Sequence, residues 1–111
     1  IYHVNWFRRD GQGRFLWPGY GENLRVLAWI IDRCKGKAAG VETPIGTVPM
    51  RDAPYFAGLD IDDATLAELL AVEAGPWRKE AEEIGQYLES YGDRLPAALR
   101  EEVARLRSRL S

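Results

Sequence analysis

The segment from Trp6 to Asn23 concentrates aromatic rings among glycine, arginine and turn residues, with five rings in eighteen positions. Every nucleobase has a π-face, and an aromatic side chain beside an exposed loop can stack on it for roughly 1–3 kcal/mol per ring. An amide side chain adds a hydrogen-bond donor and an acceptor that can read the edge of a base. The segment therefore predicts a purine pocket, with Phe7, Phe15 and Tyr20 as stacking faces and Asn23 as the reader of the edge.

A phosphate cradle and a small aromatic core are the alternative roles for this segment. A glycine-rich phosphate cradle is disfavoured, because the glycines around Gln12 fit neither the GxGxxG nor the GxxxxGK[ST] spacing. A small aromatic core beneath a hairpin, with Glu22 and Asn23 merely starting a helix, stays open as an alternative.

Length and composition limit the class of protein to which this chain can belong. With 111 residues the chain has the length of one domain, and no run approaches the roughly 20 apolar residues of a membrane span. A single cysteine excludes an internal disulfide, and a single histidine argues against a self-contained zinc site. No signal peptide is recognisable, so we expect a cytoplasmic protein. Because the chain opens on Ile1 within an apparent strand, we also expect it to be a piece of a larger protein.

Charge is distributed unevenly along the chain. Residues 1–51 carry a net charge of +4 and residues 52–111 carry −6, which gives the overall −2. An anionic ligand would therefore meet the first half, although two solvated charged faces would give the same pattern.

The pattern predicts an α+β fold. Alternation in Ile1–Phe7, a turn with positive-φ glycines at Gly11 and Gly13, and the aromatic run Arg14–Trp17 indicate an N-terminal β-hairpin. An apolar helix follows from Glu22 to about Cys34. Its apolar positions predict burial on more than one side, with Cys34 as an inert core thiol. One face holds Leu24, Leu27, Ile31 and Cys34, and it is extended by Val26 and Ile30, with Trp29 beside Val26.

The rest of the chain divides into an irregular or extended connection over residues 36–59 and a helical tail over residues 60–111. Asp60 or Asp62 is a candidate cap for the first of about three helices, and Pro76 and Pro96 are candidate starts for the other two. Residues 1–35 form the first part of this single fragment and contain the predicted hairpin, the aromatic loop and the apolar helix.

The order of these residues resembles a known family. The stretch HVNWFRRDGQGRFLWPGYGENLRVLAWIIDRC, followed by TPIGTVP and later by GDRLP, is similar to the C-terminal part of GTP-dependent phosphoenolpyruvate carboxykinase. Tyr20 and Leu24 depart from that family's commonest pattern, in which phenylalanine and a small polar residue are usual.

The resemblance implies a guanine pocket within a larger α/β kinase-like domain. Phe7 and Tyr20 match the two rings that sandwich the base, Phe15 matches a third ring at its edge, and Asn23 matches the reader of guanine. Tyr20, Gly21, Glu22 and Asn23 together correspond to the nucleotide-binding segment.

The same resemblance implies a decarboxylating lyase that converts oxaloacetate and GTP to phosphoenolpyruvate, carbon dioxide and GDP, a reaction of gluconeogenesis. It also implies Mn²⁺, with Mg²⁺ on the nucleotide, and it places the catalytic and metal-binding residues outside this fragment. We therefore expect the fragment to be inactive alone and the intact enzyme to be a monomer that binds neither nucleic acid nor membrane. Self-association of the fragment stays open.

Two alternative functions use the same aromatic platform. One is a small single-stranded nucleic-acid-binding module, which the pI of about 5.4 disfavours because such binding needs a basic track. The other is a structural or interaction domain without a ligand.

Overall fold

The computed structural model describes residues 1–111 as an α+β chain with four α-helices and one two-stranded sheet. In chain order the elements are α1 (Asn23–Cys34), β1 (Val41–Thr43), β2 (Gly46–Val48), α2 (Asp63–Leu70), α3 (Ala74–Glu89) and α4 (Ala97–Arg109). A short 3₁₀ turn at Tyr20–Glu22 comes directly before α1, and two more, at Pro54–Phe56 and Gly92–Arg94, precede α2 and α4. None of the helices combines the length and apolarity needed to cross a lipid bilayer.

The chain forms two compact units. The aromatic unit contains Ile1–Glu42 and Gly46–Ala71, and the helical unit contains Thr43–Ile45 and Val72–Ser111. Thr43–Ile45 includes the turn of the β1–β2 hairpin. The sequence predicted this region only as an extended connection.

The predicted N-terminal β-hairpin is wrong in its extent. Only Arg9 and Phe15 form an antiparallel bridge, and Ile1–Asn5 is not a strand. The Asn5 side chain accepts a hydrogen bond from the backbone N–H of Phe7 at 2.9 Å, which turns the chain before the ladder can continue. Gly13 has the expected positive φ of 81°, but Gly11 does not.

Helix α1 forms where predicted but buries only part of the predicted apolar surface. Leu24 and Ile31 remain 71% and 51% exposed, and the Cys34 thiol, expected in the core, is exposed as well. The face that packs inward instead carries Trp29, which is 2% exposed, together with residues one turn away on either side.

Hydrogen bonds explain why that face points inward. The Trp29 indole donates to the Ala39 carbonyl at 3.0 Å, and Arg33 donates to Ala38 at 2.8 Å. The Tyr55 hydroxyl donates to Asp32 at 2.6 Å, and this bond to a carboxylate raises the pKa of Tyr55. Polar partners decide the orientation, because these loop carbonyls would otherwise lose hydrogen bonds on folding.

The helical tail follows the sequence closely. The Asp62 carboxylate caps α2 by accepting from the Thr65 N–H at 2.7 Å, and Pro96 precedes the first residue of α4. Glu101 and Arg105 form an ion pair one helical turn apart at 3.8 Å, and Glu102 lies closer to Arg105 at 2.7 Å.

Helices α3 and α4 run antiparallel around one core. Arg78, near the start of α3, donates to the Leu110 carbonyl at 3.0 Å, and Glu82 pairs with Arg107 at 2.9 Å. The buried core of this unit is Ala81, Leu106 and Leu110, with Ile45, Trp77 and Ile84 packed against it. The hairpin turn is fixed to the same unit, since Arg109 donates to the Pro44 carbonyl at 2.8 Å.

Truncation of Leu106 should strongly destabilise the helical unit. Because Leu106 is 1% exposed, Leu106→Ala leaves a cavity and should lower the free energy of unfolding by about 2–5 kcal/mol. Denaturant unfolding followed by circular dichroism measures this loss. Arg100→Ala, on the exposed side of the same helix, is the matched control and should change stability by less than about 0.5 kcal/mol. Equal losses in the two variants would contradict this assignment of the core.

Candidate nucleotide-binding site

The turn between Arg9 and Phe15 is organised by Asp10. One carboxylate oxygen accepts from the backbone N–H groups of Gln12 at 2.8 Å and Arg14 at 3.0 Å, and the other accepts from the Arg14 guanidinium at 3.0 Å. The Arg14 backbone N–H, foremost among these donors, lowers the pKa of Asp10 below its ordinary value. The turn is therefore held by a carboxylate rather than by a long strand ladder.

Two rings stand on the outer surface of this turn. Phe7 is 72% exposed and Phe15 is 54% exposed, and their centroids lie 6.2 Å apart in an edge-to-face arrangement. The guanidinium carbon of Arg9 lies 4.0 Å from the centre of the Phe15 ring, while Arg9 also donates to the Gly13 carbonyl at 2.8 Å. This cation–π contact covers part of the Phe15 ring, which is therefore less exposed than the Phe7 ring.

The inner surface of the same segment is apolar and buried. Leu16 and Trp17 are 6% and 8% exposed, and the Trp17 ring lies 5.7 Å from that of Trp6. The Leu16 backbone N–H donates to the Arg8 carbonyl at 2.9 Å, which fixes the start of this run. The segment thus divides its aromatics into a tryptophan pair, in which Trp17 is buried and Trp6 is half-buried, and exposed rings.

The second half of the candidate site is the 3₁₀ turn that leads into α1. Tyr20 is 91% exposed, and Gly21 is exposed beside it. Gly19, with φ of 140°, makes the bend before this turn possible. Glu22 forms an ion pair with Arg25, so its carboxylate holds the helix start.

Asn23 is the first residue of α1 and is half-buried. Its side-chain oxygen Oδ1 accepts a hydrogen bond from the Trp17 indole at 2.8 Å. Sequence analysis did not identify this contact. The signal was nevertheless present, because the N–H of a buried tryptophan requires an acceptor.

Arginine side chains tie both halves of the site to the rest of the aromatic unit. Arg8 donates to the carbonyls of Leu69 at 3.3 Å and Ala71 at 3.1 Å, at the end of α2. Arg25 donates to the Tyr55 carbonyl at 3.0 Å and to Ala57 at 2.7 Å. The site residues therefore project from segments whose backbones are fixed on their inner side.

The structure places the predicted site residues on two adjoining segments of one unit. Phe7 and Phe15 are in contact, and Tyr20, Gly21, Glu22 and Asn23 follow within one turn and the helix start. No group of three or more His, Cys, Asp or Glu side chains could hold a metal ion. The chemistry available here is stacking and hydrogen bonding.

Comparison with known proteins decides the family. A family model described as the phosphoenolpyruvate carboxykinase C-terminal P-loop domain matches residues 1–109. The chain belongs to the GTP-dependent phosphoenolpyruvate carboxykinase family. The carboxykinase resemblance predicted from the residues of the aromatic segment is thereby confirmed.

Carboxykinases from distant organisms are similar over the whole chain. The phosphoenolpyruvate carboxykinase [GTP] of Neocallimastix frontalis is 50% identical over 111 residues, covering 99% of this chain. That of Treponema pallidum (strain Nichols) is 46% identical over 112 residues and covers 100% of the chain. The cytosolic [GTP] carboxykinase of Gallus gallus is 47% identical over 111 residues and covers 99% of the chain. The chain spans 18% of the length of each of these relatives.

The turn should loosen in acid as Asp10 takes up a proton. Because the folded-state pKa of Asp10 is lowered, its stabilising effect is complete above the ordinary aspartate pKa and is lost as the pH falls through the lowered value. Carboxyl-carbon NMR should give a pKa for Asp10 below the ordinary aspartate value, with matching shifts of the Gln12 and Arg14 amides.

The Asp10→Asn variant is the control for this titration. It should abolish the acid-dependent shifts at Gln12 and Arg14 while those of Thr65, which follow Asp62, persist. A pKa for Asp10 at or above the ordinary value would contradict the proposed role of its carboxylate.

Proposed function

We propose that this chain forms the guanine-binding C-terminal part of a GTP-dependent phosphoenolpyruvate carboxykinase. The whole protein would convert oxaloacetate and GTP to phosphoenolpyruvate, carbon dioxide and GDP. The observation that carries the proposal is the exposure of the rings Phe7, Phe15 and Tyr20 on the segment whose Trp17 indole bonds the Asn23 amide. Large exposed rings on a fixed backbone weigh against a ligand-free domain, because such patches commonly mark binding sites.

In this proposal stacking supplies most of the affinity for the base. Phe7 and Tyr20 would cover its two faces, and Phe15 would contact its edge. Each stacked ring contributes roughly 1–3 kcal/mol, and this contribution is nearly the same for guanine and adenine. The Tyr20 hydroxyl, in place of the family's usual phenylalanine, remains in water at 91% exposure and leaves the ring face unchanged.

Selection of guanine needs hydrogen bonds at the base edge. Guanine carries the acceptor O6 where adenine carries the N6 amino donor, so the two purines require opposite partners. The Asn23 amide is the polar side chain that we assign to this edge. An unpaired polar group at a buried edge costs about 1–3 kcal/mol, enough for roughly ten- to hundredfold discrimination.

The chemical steps belong to the remainder of the protein in this proposal. Mn²⁺ and the Mg²⁺ that accompanies the nucleotide would be held there, as the resemblance to the carboxykinase family implies. The oxaloacetate and phosphoenolpyruvate sites would lie there as well, and the isolated chain would be inactive. We propose a monomeric, cytoplasmic enzyme of gluconeogenesis, in line with the cytosolic relative from Gallus gallus.

Asn23→Ala in the whole protein should reduce the preference for GTP over ATP. The variant removes the edge-reading amide but leaves the rings, so kcat/KM should fall roughly ten- to hundredfold for GTP and little for ATP. Steady-state kinetics with both nucleotides measures the ratio. Gln86→Ala, which removes an exposed amide from α3, is the control and should leave the ratio unchanged. An unaltered ratio in Asn23→Ala would refute the assignment of Asn23.

Tyr20→Ala should weaken guanine and adenine nucleotides alike. Loss of one stacking face should reduce the affinity of the whole protein for GDP and for ADP about tenfold each, without changing their ratio. Calorimetric titration provides both affinities. Tyr20→Phe keeps the face and should bind both nucleotides as the parent does. If Tyr20→Ala bound GDP normally, Tyr20 would not be a stacking residue.

A further inference from the structure

We infer that Trp17 is a positioning residue that determines nucleotide specificity. Its indole N–H fixes the Asn23 amide in the orientation that favours binding of guanine over adenine. The inference rests on the proposed function, because it assumes that Asn23 faces the base. It adds a residue that would not touch the nucleotide but would decide which purine the pocket selects.

The orientation of the Asn23 amide follows from the chemistry of its partner. The indole nitrogen of tryptophan is a donor only, so the side-chain atom 2.8 Å from Trp17 Nε1 must be the acceptor oxygen Oδ1. The opposite orientation would bring N–H against N–H and lose this bond. The Nδ2 group of Asn23, with its two N–H donors, is thereby left for another partner.

That remaining donor matches one purine and not the other. Guanine presents the acceptor O6 and adenine presents the N6 amino donor. An outward Nδ2 donates to O6, whereas it would meet the N6 amino group donor against donor. If the amide turned over, Oδ1 would face the base and the preference would move towards adenine. The two amide orientations therefore correspond to two nucleotide specificities.

Both members of the pair are held well enough to maintain one orientation. Trp17 is 8% exposed and packs against Trp6, while the neighbouring Leu16 is bonded to the Arg8 backbone at 2.9 Å. The backbone of Asn23 is fixed as well, since its N–H donates to the Tyr20 carbonyl in the turn before α1. With both backbones fixed, the indole N–H is the group that distinguishes the two ends of the amide.

The test compares GDP, IDP and ADP affinities of the whole protein by calorimetry in Trp17→Phe and in the parent. Phenylalanine keeps a buried aromatic ring but removes the indole N–H. The GDP-to-ADP affinity ratio should fall roughly tenfold, and IDP, which retains O6, should weaken in parallel with GDP. General damage to the fold would instead weaken all three nucleotides equally. An unchanged ratio in Trp17→Phe would overturn the inference.

Trp29→Phe is the matched control, because it also removes an indole hydrogen bond, to Ala39, from the same unit. It should leave the ratio unchanged.

Asn23→Ala separates the two proposals. If it lowers the ratio and Trp17→Phe does not, the positioning role is wrong and the guanine site stands. If neither variant changes the ratio, the assignment of Asn23 fails and the inference fails with it.

Asn23→Asp gives a second measurement should Trp17→Phe not fold. Aspartate keeps an oxygen for the Trp17 indole and replaces the outward Nδ2 donor with an acceptor. The affinity for GDP should then fall roughly tenfold while the affinity for ADP does not fall, so that the preference for guanine is lost. Retention of the parent preference in Asn23→Asp would show that Nδ2 does not face the base, and would overturn the inference.

Discussion

The hydrogen bonds from Arg25 to the carbonyls of Tyr55 and Ala57 are the contacts on which the aromatic unit most depends. This unit has little regular structure outside α1 and α2, yet its carbonyl groups still require donors on folding. One guanidinium offers five donors in a fixed plane and can satisfy two carbonyls at once. Arg8 does the same at the end of α2. Side chains from the aromatic segment and α1 thus replace a sheet as the frame of the unit.

This frame explains how exposed aromatic rings can be held in place. The tryptophans face inward, where their large rings pack and their indole N–H groups reach acceptors on Asn23 and Ala39. Phe7, Phe15 and Tyr20 have no polar atom that needs a buried partner, apart from the Tyr20 hydroxyl in water, and they occupy the outer surface. The guanine pocket that we propose would therefore be preorganised, since little backbone would need to be ordered when a base binds.

The sequence predicted the features that depend on neighbouring residues and missed those that depend on residues far apart in the chain. The Asp62 cap, the start of α4 at Pro96 and the length of α1 depend on neighbours within one turn, and these predictions are confirmed. The predicted burial of α1 was wrong for Leu24 and Ile31, because the hydrogen bond to the Ala39 carbonyl directs the face of Trp29 inward instead.

Within the candidate site, the sequence identified the candidate residues but did not predict the hydrogen bonds that hold them. The hairpin was expected from alternation alone, and the turn formed by Asn5 and Phe7 interrupts it. The contact between Trp17 and Asn23 joins residues six positions apart across the bend at Gly19, and no local periodicity indicates it. Such contacts depend on the path of the backbone, which the sequence pattern does not specify.

The most direct test of guanine recognition by this chain is a structure of the whole protein with GDP bound. We expect guanine between Phe7 and Tyr20, with O6 facing Asn23 Nδ2 while Oδ1 keeps its bond from Trp17. Guanine bound away from these rings, or facing Asn23 Oδ1, would contradict the proposed site.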